Sequence, residues 1–494
     1  MIDTKAIRTK LLDLAIQGKL TEQKAEDGTS FELYEALQKS RTELEKKGVI
    51  KKRKPLDEIK EKEKTIPIPV SWKWVRLGEL IVSISGGKSF KCLESMPDDN
   101  QMGVVKVSAV TWGAFQQNES KTCLSADMWN EDYRIKSGDF LISRSNTDEF
   151  VGNCVIVEDI TKRLMLSDKI LRIEYLAGID KWYILYAMRT RFIREQIISI
   201  ATGTSASMKN ISRDGICSLL IPLPPIKEQA RIVEKLSKIK DILTKIDDDQ
   251  IQYAKDTETL KAKLIEAGLR GKLTEQLPEE GTAEELYQQI QAEKQRLVKA
   301  KKIKKEQPLP PIETKDIPFP IPTNWKWVRL GDIARKIASG NTPTGGRNSD
   351  AYVQSGYCLF REQNIYNDGI HEEGMVYITE ELLATRENST VYAGDILLNI
   401  TGGSIGRCAV VPDSFDRGSV NQHILIIRMI DEHLRHYIHK VICSPYAQKY
   451  INQKAFGDKG GFSGTRCKMM PIPLPPLEEQ KRIVERIDSI YASI

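Results

Sequence analysis

The side chains in this sequence that could act on another molecule are mostly binders. Arg and Lys can grip the two acceptors on guanine's edge, and Asn and Gln can pair with adenine's donor and acceptor. Residues of these types, with a few Ser and Thr, fall in stretches that read as loops. They are Lys88 and Lys91, then Arg144 and Asn146, then Ser205, Lys209 and Asn210. In the second half they are Asn341, Thr342 and Arg347, then Arg361, Gln363 and Asn364, then Thr401, Lys459 and Arg466. The plain alternative for any one of them is a solvated surface position. As groups such side chains have the chemistry to meet base edges, and to hold phosphate, which fixes position without reading sequence.

Catalytic groups are missing at the spacings they need. An Asn/Asp-Pro-Pro-aromatic segment, which holds an exocyclic amine for methylation, does not occur; the Pro-Pro pairs at 224–225, 310–311 and 475–476 have other neighbours. There is no GxxxxGK[ST] loop for ATP phosphates. The glycine-rich run near 458–464 is expected to lead into a strand-like segment and not into a phosphate-cradling helix. His433, His436 and His439 could suggest a metal on a helix, but Trp182 occupies the repeat position of His436, so no metal site is expected. His423 stands opposite Lys169 in the repeat and reads as a shared polar donor. The eight cysteines include no CxxC pair, which predicts neither zinc nor a disulfide framework but reduced thiols in a cytoplasmic protein. With 29% charged residues, a net charge of +6 and no apolar run near the ~20 residues of a membrane helix, the chain reads as soluble and open to a polyanion partner.

The elements that must position these loops are revealed by an internal repeat. LLDLAIQGKLTEQ returns as LIEAGLRGKLTEQ, with Gly18 and Gly271 at an offset of 253; Trp72 of SWKWVRLGEL and Trp325 of NWKWVRLGDI keep the same offset. IPLPPIKEQARIVEKL returns as IPLPPLEEQKRIVERI, offset by 251. Between these flanks the sequences diverge but keep one plan: GDFLISR, VGNCVIV and KILRIEY match GDILLNI, IGRCAVV and HILIIRM. Short β-branched runs bounded by Gly, Asp and Asn predict strands. A helix is expected after each third run, near 180–199 and 432–451. Each insert therefore reads as a compact α/β domain.

The flanks read as helix. From Ile232 apolar residues recur at Leu236, Ile239, Leu243 and Ile246, then Tyr253, Leu260 and Leu264, with Gln250 and Thr257 as polar interruptions. This is the four-and-three spacing of a coiled-coil seam. The C-terminal copy supplies Ile483, Ile487, Ile490 and Ile494, and the N-terminal copy Ile7 and Leu11. The middle helix is then whole and its partner split between the chain ends. Antiparallel packing would bring the termini together and relate the inserts by a pseudo-twofold axis. One face of a larger helical core is the plainer alternative. As a helix, residues 232–264 would span about 50 Å, or about 15 base pairs of duplex.

In its paired IPLPPIKEQ and IPLPPLEEQ junctions, WKWVRLG segments, GKLTEQ repeats and GD strands, the chain resembles the specificity subunit of Type I restriction-modification systems. The resemblance covers essentially the whole chain and implies a fold class: α/β, with two α/β target-recognition domains separated by long antiparallel coiled-coil helices in a pseudo-twofold internal repeat. The expected boundaries are an N-terminal helical region at 1–65, target-recognition domains at 66–225 and 319–476, a central helical spacer at 226–318 and a C-terminal helix at 477–494. It implies double-stranded DNA as ligand, two methyltransferase subunits using S-adenosylmethionine, and restriction subunits using ATP, with no cofactor, metal or catalytic residue in this chain. A coiled-coil scaffold that binds no DNA is the alternative, and it leaves the divergence of the loops unexplained.

Two features remain. The basic run KQRLVKAKKIKK at 294–305 and the mixed run at 41–64 read as solvated helix face or linker, with phosphate contact or partner docking as the functional alternative. Trp72, Trp74, Trp325 and Trp327 could stack bases, but they lie in the shared flanks, which favours core packing.

Overall fold

The structure is a computed structural model. It describes residues 1–52, 55–111, 113–205, 208–343, 350–455 and 461–494, with backbone alone at 204 and 205. The chain divides into two units, Met1–Ile251 and Gln252–Ile494. The helix Ile226–Leu269 contributes residues to both.

Each unit is built on the same frame. In the first, the helix Thr4–Ile16 ends at Gly18, whose φ of 67° closes the turn; a β-carbon there would strike Pro69. Gly271 repeats this at the end of the long helix, with φ 67° and Pro322 in the same place. Both glycines stand just past a helix end, where the chain needs the left-handed conformation. A capping box then starts the next helix: Thr29 caps Ser30–Lys46 and Thr282 caps Ala283–Lys299, each paired with a glutamate three residues on. The strand Lys73–Arg76 pairs antiparallel with Leu220–Leu223, and Lys326–Arg329 with Pro471–Leu474. Each insert thus begins and ends on one two-stranded ribbon.

Within the inserts, the three predicted strands join a fourth in one antiparallel sheet. Its order in the first unit is Ile81–Gly86, Ile170–Tyr175, Phe140–Ser143, Cys154–Ile156. In the second it is Ala334–Ser339, Ile424–Met429, Ile396–Asn399, Cys408–Val410. A second four-stranded sheet packs in each unit around a parallel pair, Met102–Val105 with Arg163–Met165 and Tyr357–Phe360 with Arg417–Val420. An ion pair recurs beside the Gly-Asp turn: Asp139 with Arg172 at 3.0 Å, and Asp395 with Arg428 at 2.7 Å.

Three expectations need correction. The helices after the third strand are each broken in two: Lys181–Met188 and Arg191–Ile200, then Arg435–Cys443 and Pro445–Lys454. Thr190 and Ser444 each cap the second segment with their hydroxyls, which competes with helix continuation. The glycine-rich run leads into the five-residue helix Gly464–Lys468, capped by Ser463, before the strand Pro471–Leu474. The seam holds only in part. Ile232, Leu236, Leu243, Ile483 and Ile487 are buried, and Ile239, Ile246, Leu264, Ile490 and Leu11 are half-buried. Ile7, Tyr253 and Leu260 are exposed.

The reason differs by unit. In the first, polar contacts take the place of Ile7: Arg8 donates to Asp247 at 2.7 Å, and Thr4 donates to the same carboxylate. Both helices run antiparallel there, Ile2 meeting Gln250 and Thr21 meeting Glu228. In the second, the buried stripe is Ile265, Gly268 and Leu269, and Gly268 lies close under Ile483 and Ile487. Glycine allows that approach, so the stripe sits one position along from Leu260 and Leu264. Tyr491 donates to the Lys261 carbonyl at 3.0 Å, again in an antiparallel sense.

Candidate nucleic-acid interface

In the first unit the strand ends Ser143, Gly86 and Ile170 lie at one edge of the main sheet, since Ser143 pairs with Ile170 and Gly86 with Leu171. The loops carrying Lys88, Lys91 and Arg144 leave from that edge. Immediately beyond it, Ser145–Asn146, Met208–Asn210 and Thr202–Ser205 form a three-stranded sheet, with Asn146 opposite Lys209 and Ser145 opposite Asn210. The structure therefore joins Arg144, Asn146, Ser205, Lys209 and Asn210, which are up to 66 positions apart in sequence. Ser145 donates to the Asn210 side-chain oxygen, which fixes the amide. Lys209 donates to the Gly203 carbonyl at 3.2 Å and lies 4.0 Å from Asp148. Lys88, Lys91 and Arg144 are exposed and form no ion pair among the described residues. Cations without an ion pair, on loops that leave a sheet edge, can meet phosphates or base acceptors without first breaking a salt bridge.

The second unit repeats this edge. Ser339 pairs with Leu425 and Asn399 with Ile424, so the segments holding Asn341, Thr401 and His423 emerge together. Thr401 bridges to Gly461 much as Ser145 meets Asn210. Its hydroxyl lies 2.7 Å from Nδ1 of His423, which places His423 as a polar partner inside the cluster. The loop after Tyr357–Phe360 joins them, because the Asn399 amide donates to the Glu362 carbonyl at 2.7 Å.

Not every expected reader is free to read. Asn364 is fully buried and spends its amide on the carbonyls of His371 and Glu373, so it braces its own loop and does not reach a base edge. Arg361 and Gln363 both donate to the Gly374 carbonyl, and Arg466 donates to that of Lys454. Thr342 has a buried hydroxyl with no partner among the described residues. Arg347 and Lys459 lie outside the described residues. Two residues with the right chemistry were missed. Exposed Arg213 comes within 3.6 Å of where a β-carbon on Gly86 would stand, and exposed Gln422 sits in the turn between Asn421 and His423. Their proximity to Asn210 and His423 in sequence was the available signal.

The histidines on the second unit's helix are separately engaged: His433 with Asp431, His436 with Arg435, His439 with the Cys408 carbonyl at 2.9 Å. Trp72 and Trp325 are core residues, and Trp74 packs on Phe192 as Trp327 packs on Phe319 and Tyr446. The basic run is not uniformly solvated: Lys294 is half-buried and donates to the Gly331 carbonyl at 2.7 Å. Arg41 repeats it on Gly78 and Ile81. No helix among the described residues is long and apolar enough to cross a membrane.

A duplicated frame that carries two divergent polar loop edges, the first with exposed Lys88, Lys91 and Arg144, has the layout of a protein that reads two stretches of DNA. The description "Type I restriction modification DNA specificity domain" matches residues 69–253 and 322–494, and the chain belongs to that family, whose members specify DNA sequence and do not catalyse. It is 26% identical over 554 residues to the EcoEI specificity subunit of Escherichia coli, covering 99% of this chain and 89% of that protein. To the EcoAI specificity subunit, also of Escherichia coli, it is 25% identical over 540 residues, covering 98% and 88%. A chain from a solved type I R-M system, studied for complex assembly and conformational transition, shares the fold with a TM-score of 0.56 at 19% identity, covering 86% of this chain and 91% of that one.

Proposed function

We propose that this chain reads a bipartite site in double-stranded DNA, one short word per unit, and positions adenine methyltransferase subunits on it. The observation that carries this reading is the twofold occurrence of the same loop edge, on Arg144, Asn146 and Lys209 in one unit and on Thr401 and Gln422 in the other. The two edges share a plan and differ in side chains, so the words differ and the site is not palindromic. The long helix Ile226–Leu269 acts as the spacer that sets the gap. The partners are two methyltransferase subunits, which bind S-adenosylmethionine, and restriction subunits, which use ATP; this chain contributes no cofactor site. The domain limits in this reading are recognition at 66–225 and 319–476, spacing at 226–318, and helical closure by 1–65 and 477–494.

Selection from randomised duplex DNA tests it. The purified chain with its methyltransferase partner is expected to enrich two short words at a constant gap. Enrichment of nothing, or of a single uninterrupted word, would overturn the reading.

A further inference from the structure

The turn that follows the capping-box helix of each unit carries lysines that no carboxylate in the described chain meets. Lys46, Lys51 and Lys52 in the first unit, and Lys299, Lys304 and Lys305 in the second, are exposed and form no ion pair among the described residues. They correspond at the offset of 253. The other exposed positions of this stretch, 42, 43, 47, 48 and 49, all differ from 295, 296, 300, 301 and 302. The lysines are what the two copies keep on this surface.

Folding does not require them all. Lys46 and Lys299 close the last turn of their helices, where a cation meets the negative end of the helix dipole. That interaction fades within a turn, so it does not account for Lys51, Lys52, Lys304 and Lys305 beyond the helix ends. Lys301 goes further. Among the described residues it is the one non-glycine residue with a positive φ, 56°, and it stands where the first copy has Gly48 at 70°. A side chain is disfavoured in that conformation, yet the second copy places a cation there. Glu306, the first acid after this run, is already paired with Lys468 at 2.6 Å.

Each turn is also tied to the reading edge of its own unit. Arg76 donates to the carbonyls of Asp57 and Glu58, just after the first turn, and to that of Ser218 at the end of the helix Arg213–Ser218. Arg329 does the same with Pro310, Pro311 and Met469, which follows the helix Gly464–Lys468. The first of these helices begins with Arg213 beside Gly86, and the second just after the bridge from Gly461 to Thr401. Each helix spans ~10 Å or less, and the lysines beyond the frame helices stand within ~20 Å of extended chain from the arginine anchors. A duplex lying on an edge therefore comes within about one helical turn of the lysines. We propose that the two basic turns hold the phosphate backbone outside the words, a contact independent of sequence. The second turn holds it more strongly, because it adds Lys301 and Lys302 and has Pro310 and Pro311 in place of the acidic Asp57 and Glu58. An acidic protein segment offers the same charge, but recurrence of the turn once per reading edge favours the ligand common to both edges. This rests on the proposed function for its ligand and adds a surface outside the reading loops.

The salt dependence of binding tests it, measured on the chain with its methyltransferase partner and the duplex it selects, flanked by random sequence. Lys304→Gln with Lys305→Gln is expected to make the slope of log K against log salt shallower by about 2, at ~0.9 per phosphate contact. Affinity at about 0.1 M salt should fall by about tenfold or more, and the words should stay the same. Lys51→Gln with Lys52→Gln should act in the same direction and less strongly. Trimming the flanks, so that only the words and their gap remain, should abolish the difference between either variant and the unaltered chain. An unchanged slope in Lys304→Gln with Lys305→Gln would overturn the proposal. So would loss of a partner subunit at an unchanged slope, which would assign the turn to an acidic protein segment. If the unaltered chain selects no words, the proposed function fails, and the slopes on arbitrary duplex still decide whether the turns hold phosphate.

Discussion

The indole N–H of Trp72 donates to Oε2 of Glu228 at 2.8 Å, and Trp325 makes the same bond to Glu479 at 2.8 Å. Both carboxylates are buried and are met by three neutral donors: Thr21, Gln23 and Trp72 in one unit, Thr274, Gln276 and Trp325 in the other. Each knot ties the loop after an early helix, the entry to the insert and the first turn of a later helix to one group. Trp72→Phe replaces the indole by a smaller ring, so it removes the donor from a buried carboxylate and also leaves a cavity in the core. Stability should fall by about 1–3 kcal/mol, read as a lower urea midpoint, while the DNA words stay unchanged.

Arg144→Ala and Gln422→Ala should act on different halves of the site. Each removes one side chain that can pair with a base edge, and each is expected to weaken binding by about 1–3 kcal/mol and relax preference within one word. Selection from randomised duplexes, repeated for both variants, reads this directly. Relaxation of both words by either variant would contradict the assignment of one word per unit.

Seven residues inserted between Asp247 and Tyr253 would lengthen the helix by about 10 Å while nearly keeping its register. The gap between words should grow by about three base pairs, with the words themselves retained. Loss of both words would count against the helix as spacer.

Acid sensitivity follows from Asp27. Its carboxyl is held below the usual value of 3.8 by the hydrogen bond from Arg231, reinforced by that guanidinium's charge. The unfolded chain therefore binds the proton more readily. The contribution to stability is complete above about pH 4 and disappears as pH falls through the depressed value. Arg231→Gln should lower the urea midpoint at pH 7 and flatten its decline below pH 4. A parallel decline in both proteins would show that the pair does not govern this range.

Much of this architecture was legible because burial imposes pattern. The Gly-Asp strands were readable from their β-branched runs, and the frame from its exact repetition at Trp72 and Trp325. The three-stranded sheet at the reading edge was not readable, since Ser145–Asn146 and Met208–Asn210 are short and polar and meet only through the fold. Asn364 looked like a reader because nothing local distinguishes a buried amide from an exposed one. The seam misled at Ile7 and Leu260 because apolar spacing shows that a stripe exists but not where its partner ends. In the first unit Thr4 and Arg8 supply polar contacts to Asp247, and in the second Gly268 draws the partner helix one position along.

The pairing of Lys73 with Leu223, and of Lys326 with Leu474, brings the chain into and out of each insert at adjacent points. A segment anchored in this way is a cartridge with a single socket. Its interior can gain, lose or exchange residues without moving the anchors, so recombination at the flanking repeats could rewrite half of an address in one event and leave the other half unaltered.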